Sequence, residues 1–406
     1  MDLMPILATL KRHKTAAGLI VLQVALTCAI VCNALFLIFQ RIERMEAPSG
    51  IVENELLTLS VSSLTRTQDP DAITRMDLQA LRALPGVKSV SLVNQIPYKD
   101  NFWATGIRLK PDSQEEGLGV ANYMVAEGWL QTLGLKLVAG RDFAGEEYRN
   151  QSEMENDAKA GVSAVLINQA LADKLFPGKS AVGESLYGGG GDQPSRIVGV
   201  VERLVSPQPG GTDSAQLYTL IQPIRQTFRG GVFLMRVEPG QRQAILNRAA
   251  SELEKMQTRR VVREKNLFTD LREKYYRQDM NMAWLMGAVC IALLLVTAFG
   301  IVGLASFWVQ QRTRMIGTRR ALGATRGQIL RYFQAENFLL TSLGLVLGMA
   351  AAYGISVLLM KNYELPRLPL FYLPVGAVTL FLLGQLAVLS PARRAAALPP
   401  VAALRS

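Results

Sequence analysis

The chain has 406 residues, 49% of them hydrophobic and only 19% charged, below the ~25% charged content of ordinary soluble domains. Its 44 Lys and Arg outnumber 33 Asp and Glu, a net charge of +11, which in a soluble protein would point to nucleic acid. The low charged fraction and the gathering of apolar residues into long runs exclude that partner, and the apolar content excludes intrinsic disorder.

The chain opens with a basic segment, 1–15, containing Lys11, Arg12, His13 and Lys14. The apolar run 16–40 follows, AAGLIVLQVALTCAIVCNALFLIF and its flank. At 1.5 Å per residue it reaches about 36 Å, enough to cross a ~30 Å hydrocarbon core. It is too long for a signal peptide, and QRIERMEAP replaces a small-x-small cleavage site. Cys28 and Cys32 lie on one face of this helix and read as small packing residues. With Cys290 they make three cysteines and no Cys-x-x-Cys pair, which excludes a zinc ribbon or thioredoxin-like site. One histidine completes neither a His-based metal site nor a Ser-His-Asp triad.

Residues 41–281 are mixed in charge and punctuated by Gly and Pro, the pattern of an α+β domain with split βαβ units, in one or two subdomains. ELLTLSVSS reads as a strand, RMDLQALRALPG as a helix with a Gly stop, and VKSVSLVNQIP and ATGIRLKP as strands. The stretch 144–160 reads as a flexible loop. SAVLINQALADKLFPG is a strand running into a helix. YGGGGDQPS, at 187–195, is a second loop. SRIVGVVERL, AQLYTLIQPIR and GVFLMRVEPG read as strands, and QRQAILNRAASELEKM as an amphipathic helix. FTDLREKYYRQDMNM has helical pattern and runs into the next apolar segment with no Gly or Pro, predicting one helix continuous from domain to membrane.

Three more spans follow: 282–309, 333–360 and 370–390, separated by the basic segment 310–332 and the short loop 361–369, with a tail at 391–406. Segments 1–15, 310–332 and 391–406 carry twelve basic residues and Asp2 as their only acid. The whole charge excess therefore sits on one side of a four-span chain. By the positive-inside rule that side is the cytoplasm, with both termini on it and 41–281 outside.

No enzyme constellation emerges. FPGKS, at 176–180, has Asp173 where a P-loop needs Gly and closes a helix instead of opening one. Glu115 and Glu116, like Glu146 and Glu147, are adjacent residues that cannot point into one site and read as solvated surface. Gly344 and Gly348 have the spacing of close helix packing. Glu336 and Asn337 are polar residues near the start of a span; Glu336 either faces headgroups or pairs with an arginine of the preceding loop. Gln23, Thr27, Asn33 and Gln385 suit a helix interface. The segment QQRTRMIGTRRALGATRGQILR reads as helix, turn, second amphipathic helix, then span. It suits contact with lipid headgroups and exposure to a cytosolic partner.

The run RTRMIGTRRALGATRGQILRYFQAENFLLTSLGLVLG resembles the signature of MacB/FtsX-type ABC transporter permeases, roughly R-T-R-E-I-G-I-R-R-A-L-G-A-T with a Glu early in the next span. PARRAAALPPVAALRS is similar to the family's tail. GWLQTLGLKLVAGRDF and AVLINQALADKLFPGKSAVGESL resemble its MacB-like periplasmic core domain. The likeness covers essentially the whole chain; Met315 departs from it, standing where the family has Glu. The resemblance implies a bacterial inner-membrane protein conveying ATPase motion to the periplasm by mechanotransmission, exporting peptide, antibiotic or amphiphilic cargo. Lipoprotein extraction and regulation of cell-wall hydrolases are the alternatives within it; a receptor without an ATPase lies outside it. It implies an ATPase subunit dimer, a second permease subunit in a homo- or heterodimer, and a periplasmic adaptor. No cofactor is expected in this chain, ATP and Mg being bound by the partner. Carried over by position, Arg312, Arg314, Gly317, Arg319, Arg320, Ala321, Leu322, Gly323 and Ala324 form the ATPase-coupling segment.

Overall fold

The computed structural model describes residues 14–64, 69–111, 117–156, 161–188, 193–211, 214–257, 260–363 and 368–397. His13, Lys11, Arg12, Glu115, Glu116, Arg405 and the glycines at 189–191 lie outside them. The chain divides into two units, Ala47–Arg277 and the remainder, Met1–Glu46 with Gln278–Ser406.

In chain order the elements are α1 (Lys14–Glu46), β1 (Leu56–Ser63), α2 (Pro70–Arg82), β2 (Val87–Val93), β3 (Ala104–Arg108), β4 (Leu118–Met124), α3 (Trp129–Leu133), β5 (Leu137–Gly140) and β6 (Arg149–Asn150). Then come α4 (Gln151–Asn156), β7 (Ala164–Asn168), α5 (Gln169–Leu175), β8 (Ser185–Gly188), β9 (Ser195–Val201), α6 (Ser214–Leu217), β10 (Thr219–Gln222), β11 (Ile224–Arg225) and β12 (Val232–Val237). The rest are α7 (Arg242–Met256), β13 (Arg260–Leu267), α8 (Phe268–Gln311), α9 (Thr313–Ala321), α10 (Arg326–Tyr363) and α11 (Tyr372–Ala397).

The Ala47–Arg277 unit holds two main sheets. The first has order β13-β1-β12-β2 and is antiparallel throughout. Helix α2 links β1 to β2 across β12, and α7 links β12 to β13 across β1, so two split βαβ units interlock. The helices cover one face, burying Leu81, Ile245, Ala249 and Leu253 against Leu57, Leu59, Leu92, Phe233 and Met235. Helix α2 starts where Asp69 accepts the Ala72 amide at 2.9 Å, with Pro70 at its first position, a standard start signal. Asp77 of α2 accepts from Nη1 and Nη2 of Arg260 at 2.7 Å each, and Arg260 lies 4.8 Å over the Phe228 ring.

The second sheet has order β5-β9-β7-β10-β4-β3-β8, and β8 also pairs with β9, closing a ring of strands. All five residues of β7 are buried, the first four of them apolar, as suits an interior strand. Asn168 ends it and caps α5, its Oδ1 accepting the Leu171 amide at 3.1 Å.

Several local readings change. The stretch 144–160 is structured as far as Asn156: a 3-10 turn over Gly145–Glu147 leads to β6 and α4. Glu147 is not solvated surface; Arg141 grips it through both nitrogens, at 2.8 and 2.7 Å. AQLYTLIQPIR begins as the helical turn α6, and Pro223, which has no N–H for a ladder, separates β10 from β11. The loop at 361–369 is shortened by α10, which runs to Tyr363; 364–367 are outside the described residues.

Among the described residues, four helices are long and apolar enough to cross a membrane, and the other unit is built from them. Cys28 and Cys32 are fully buried in its core beside Ile20, Val24, Leu345 and Ala352. The polar groups of α1 are matched across helices. Thr27 and Thr297 hydroxyls lie 2.8 Å apart, and Gln23 and Asn33 donate to the Val296 and Ala352 carbonyls at 3.1 Å. Helix α8 runs unbroken from Phe268 to Gln311.

Candidate functional site

The 310–332 segment gathers six arginines. Helix α8 stops at Gln311 and α9 starts at Thr313; Arg312 between them has φ −106° and ψ 12°. That kink turns its side chain inward. Nη1 and Nη2 of Arg312 donate to Oε2 and Oε1 of Glu336 at 2.7 and 3.1 Å, with side-chain exposures of 8% and 1%. The guanidinium also lies 5.6 Å from the Trp308 ring. A planar fork on a carboxylate satisfies two buried charges at once. Of the two roles open to Glu336, the structure shows pairing with a loop arginine. Beside it, Asn337 donates to the Gly384 carbonyl at 3.0 Å.

Helix α9 ends in a Schellman turn. Gly323, at φ +94°, donates its amide to the Arg320 carbonyl at 3.1 Å, and the Ala324 amide reaches the Arg319 carbonyl at 3.0 Å. Only glycine takes that backbone cheaply. Thr325 then caps α10: its amide donates to Gln328 Oε1 at 2.9 Å, and the Gln328 amide donates to Thr325 Oγ1 at 3.3 Å. This reciprocal capping box makes the second amphipathic helix and the span a single helix, since nothing past Gly327 in its first turn breaks it. Thr325 and Gln328 are not among the residues singled out from sequence, although their Thr-x-x-Gln spacing is the signal.

Two further contacts seat α9. Arg319 lies 5.0 Å over the Tyr332 ring. Arg320 Nη1 donates to the Ala396 carbonyl at 2.8 Å, near the C-terminal end of α11, where unpaired carbonyls and the helix dipole favour a cation. The sequence-derived segment is thereby divided. Arg312 and Gly317 are buried, and Arg320 and Ala324 half-buried. Arg314, Arg319, Ala321, Leu322 and Gly323 are exposed, Leu322 at 83%. The anchored helix thus leaves Leu322, at its C-terminal cap, exposed together with Arg314 and Arg319, an arrangement suited to protein contact.

Gly344 and Gly348 face α1. A Cβ on Gly344 would stand 2.9 Å from Val24 Cβ, and one on Gly348 would stand 2.6 Å from Cys28 Cβ and 2.8 Å from the Ala25 carbonyl. Gln385, on α11, has a buried Nε2 with no partner among the described residues.

The first turns of α8 are tied down within the Ala47–Arg277 unit. Arg272 donates to both oxygens of Glu53, at 3.0 and 2.9 Å, and to the Ala47 carbonyl at 2.8 Å. Tyr98 donates its hydroxyl to Glu53 at 3.0 Å while its ring packs on Phe268, Tyr275 and Tyr276. Tyr98 holds φ +67°, a left-handed conformation rare for a bulky residue, and burial pushes its hydroxyl pKa up.

Residues 23–253 match the MacB-like periplasmic core domain, and residues 287–400 the FtsX-like permease C-terminal domain. The chain is 27% identical over 338 residues to the uncharacterized ABC transporter permease YknZ of Bacillus subtilis, covering 82% of this chain and 79% of that one. It is 30% identical over 266 residues to the uncharacterized ABC transporter permease YvrN of the same organism, covering 62% and 64%. With the macrolide export ATP-binding/permease protein MacB of Agrobacterium fabrum it shares 28% identity over 346 residues, 81% of this chain and 50% of the relative. The chain thus spans about half the length of that MacB relative. Among solved structures, the extracellular domain of the noncanonic ABC-type transporter YknZ from Gram-positive bacteria is similar at 19% identity and a TM-score of 0.32, covering 51% of this chain and 100% of that one.

Proposed function

The chain belongs to the MacB/FtsX-type family of ABC transporter permeases, and from that premise we propose that it is the membrane subunit of an ATP-driven complex working by mechanotransmission. The exposed face of α9 docks on a separately encoded ATPase, which binds ATP and Mg; this chain hydrolyses nothing itself. Two permease subunits sit on an ATPase dimer in the bacterial inner membrane, with termini and α9 in the cytoplasm. Motion started at α9 passes along α8, which is one unbroken helix, to the periplasmic domain, where cargo is delivered toward an adaptor.

The observation that carries this reading is the seating of α9. Arg312, Arg319 and Arg320 fix it to Glu336, Tyr332 and Ala396 while Leu322 is left standing in solvent. A helix clamped to the spans and bare on its outer face transmits a push instead of absorbing it. Charge placement supports the orientation, the basic excess lying in the three segments assigned to the cytoplasm. The match of residues 23–253 to the MacB-like periplasmic core domain favours export of peptide, antibiotic or amphiphilic cargo over control of cell-wall hydrolases.

Topology reporters test the orientation. A fusion after Arg331 reports as cytoplasmic and one within α4 as periplasmic; the reverse result rejects the map. Co-expression with a separately encoded ATP-binding subunit of this transporter family tests assembly. The two co-purify in detergent, and Leu322→Asp separates them; an intact complex with that variant rejects α9 as the docking element.

A further inference from the structure

Strand β2 is an edge of the four-stranded sheet. Its inner side pairs with β12 along its length; its outer side is divided. Toward its C-terminal end the Leu92 carbonyl accepts the Ala126 amide at 3.0 Å, and Val93 bridges Val125. Before that point, residues 88–90 meet no strand among the described residues. Arg82 Nη2 instead donates to the Val90 carbonyl at 3.3 Å, a long bond occupying the place where the N–H of an added strand would sit.

A cavity of about 330 Å³ lies along this open stretch, walled by Lys88, Ser89, Val90 and Gln131. It shares Arg82 and Glu127 with a second cavity of about 490 Å³. Arg75, Leu78, Gln79 and Arg82 line the second cavity; their spacing puts them on one face of α2. The other charges are matched: Lys88 with Glu55 and Glu238 at 3.4 and 3.1 Å, Glu127 with Arg225 at 2.8 Å. Asp71, also on the wall, accepts the Ser152 hydroxyl at 2.7 Å. Arg75 and Arg82 form no salt bridge among the described residues.

We propose that this groove binds a short extended peptide ending in a free carboxylate. The peptide backbone adds to residues 88–90 as a further strand, displacing Arg82 from the Val90 carbonyl. The freed guanidinium, with Arg75 two turns away on the same helix face, takes the terminal carboxylate in the larger cavity, with Leu78 as its apolar floor. Main-chain pairing supplies affinity and the arginines supply selectivity for a charged end. The edge that lacks a partner strand is three residues long, with Gly128 standing close to the Val90 carbonyl at one end of it, which fits a short peptide and not the longer strand of a folded partner. The inference concerns the periplasmic domain alone and stands whether or not α9 docks an ATPase.

The test is fluorescence anisotropy on the full chain in detergent micelles, with a labelled Thr-Val-Thr-Val-Thr-Val hexapeptide. Three probes are compared: the free acid, its C-terminal amide, and a form N-methylated at alternate amides. Saturable binding of the free acid is expected, weakened about tenfold or more by amidation, by N-methylation, and by the paired substitution Arg75→Gln with Arg82→Gln. No saturable binding of the free acid overturns the proposal. Equal affinity for the amide removes the carboxylate site, and equal affinity for the N-methylated form removes strand addition; either result also overturns it. Should the paired variant not fold, the three probes on the unaltered chain decide the matter alone.

Discussion

Arg312 and Glu336, at the end of the second span's helix and in the third, form a bidentate ion pair with N–O distances of 2.7 and 3.1 Å and almost no solvent exposure. The pair fixes where α9 leaves the membrane helices. Removing one member strands a buried charge or hydrogen-bonding group. Glu336→Ala is expected to cost about 3–5 kcal/mol, and the apolar double replacement Arg312→Met with Glu336→Leu to recover most of that loss. Denaturant unfolding in detergent measures both; a double variant no more stable than the single one would show that the pair is not the reason for the loss.

The stop after α9 depends on Gly323 at φ +94°. Gly323→Val places a branched side chain in a left-handed conformation and should cost about 1–2 kcal/mol. Thr325→Ala removes one side of the capping box, for about 1 kcal/mol. The same unfolding measurement checks both. Limited proteolysis should locate the new cleavage at 321–326; protection equal to that of the unaltered chain would show that the turn does not need its glycine.

Gly348 has no room for a side chain: a Cβ would meet Cys28 Cβ at 2.6 Å and the Ala25 carbonyl at 2.8 Å. Both neighbours belong to α1, so Gly348→Val must push the helices apart and is expected to lower the melting temperature by several degrees. Gly327, with nothing within 4 Å of its Cβ position, is the control. Gly327→Ala should be neutral or slightly stabilising.

The periplasmic domain should weaken in acid. The Arg141 bonds, with the Ala144 amide, hold the Glu147 carboxyl below the usual glutamate range; Arg236 and Lys88 do the same for Glu55. A carboxylate with a lowered folded-state pKa adds stability that is present in full above the unfolded value, about 4.3, and is lost as pH falls through the folded one. Melting temperature is therefore expected to fall below about pH 4.3, and Glu147→Gln to flatten part of that fall. An identical pH profile for the variant would contradict the assignment.

The membrane helices and the continuity of α8 are legible because each rests on a local signal: an apolar run, or the absence of Gly and Pro between Phe268 and Met282. Strand β1 is legible for the same reason, since Leu57, Leu59 and Val61 alternate along it, but the interlocked order of the two split βαβ units is not, because it rests on pairing between distant segments. Strand β13 is not legible either, because RVVREKNL carries little apolar surface and is held by pairing with β1. The inward turn of Arg312 is equally hidden. Six arginines in one loop look alike until Glu336, 24 residues away, is brought beside one of them. Glu147 reads as surface for a similar reason, as nothing local announces its partner Arg141. The Schellman turn and the capping box, by contrast, are written in ALGATRGQ itself.

Whether the outer face of α9 receives the ATPase stroke is read out by ATP hydrolysis of the reconstituted complex. The unaltered chain and Leu322→Asp are compared, the residue being 83% exposed so that its replacement leaves the fold intact. The unaltered chain should change the rate of the ATPase subunit, and Leu322→Asp should return it to the rate of the ATPase alone, with melting temperature unchanged. Full modulation by a folded Leu322→Asp chain rules out α9 as the receiving surface.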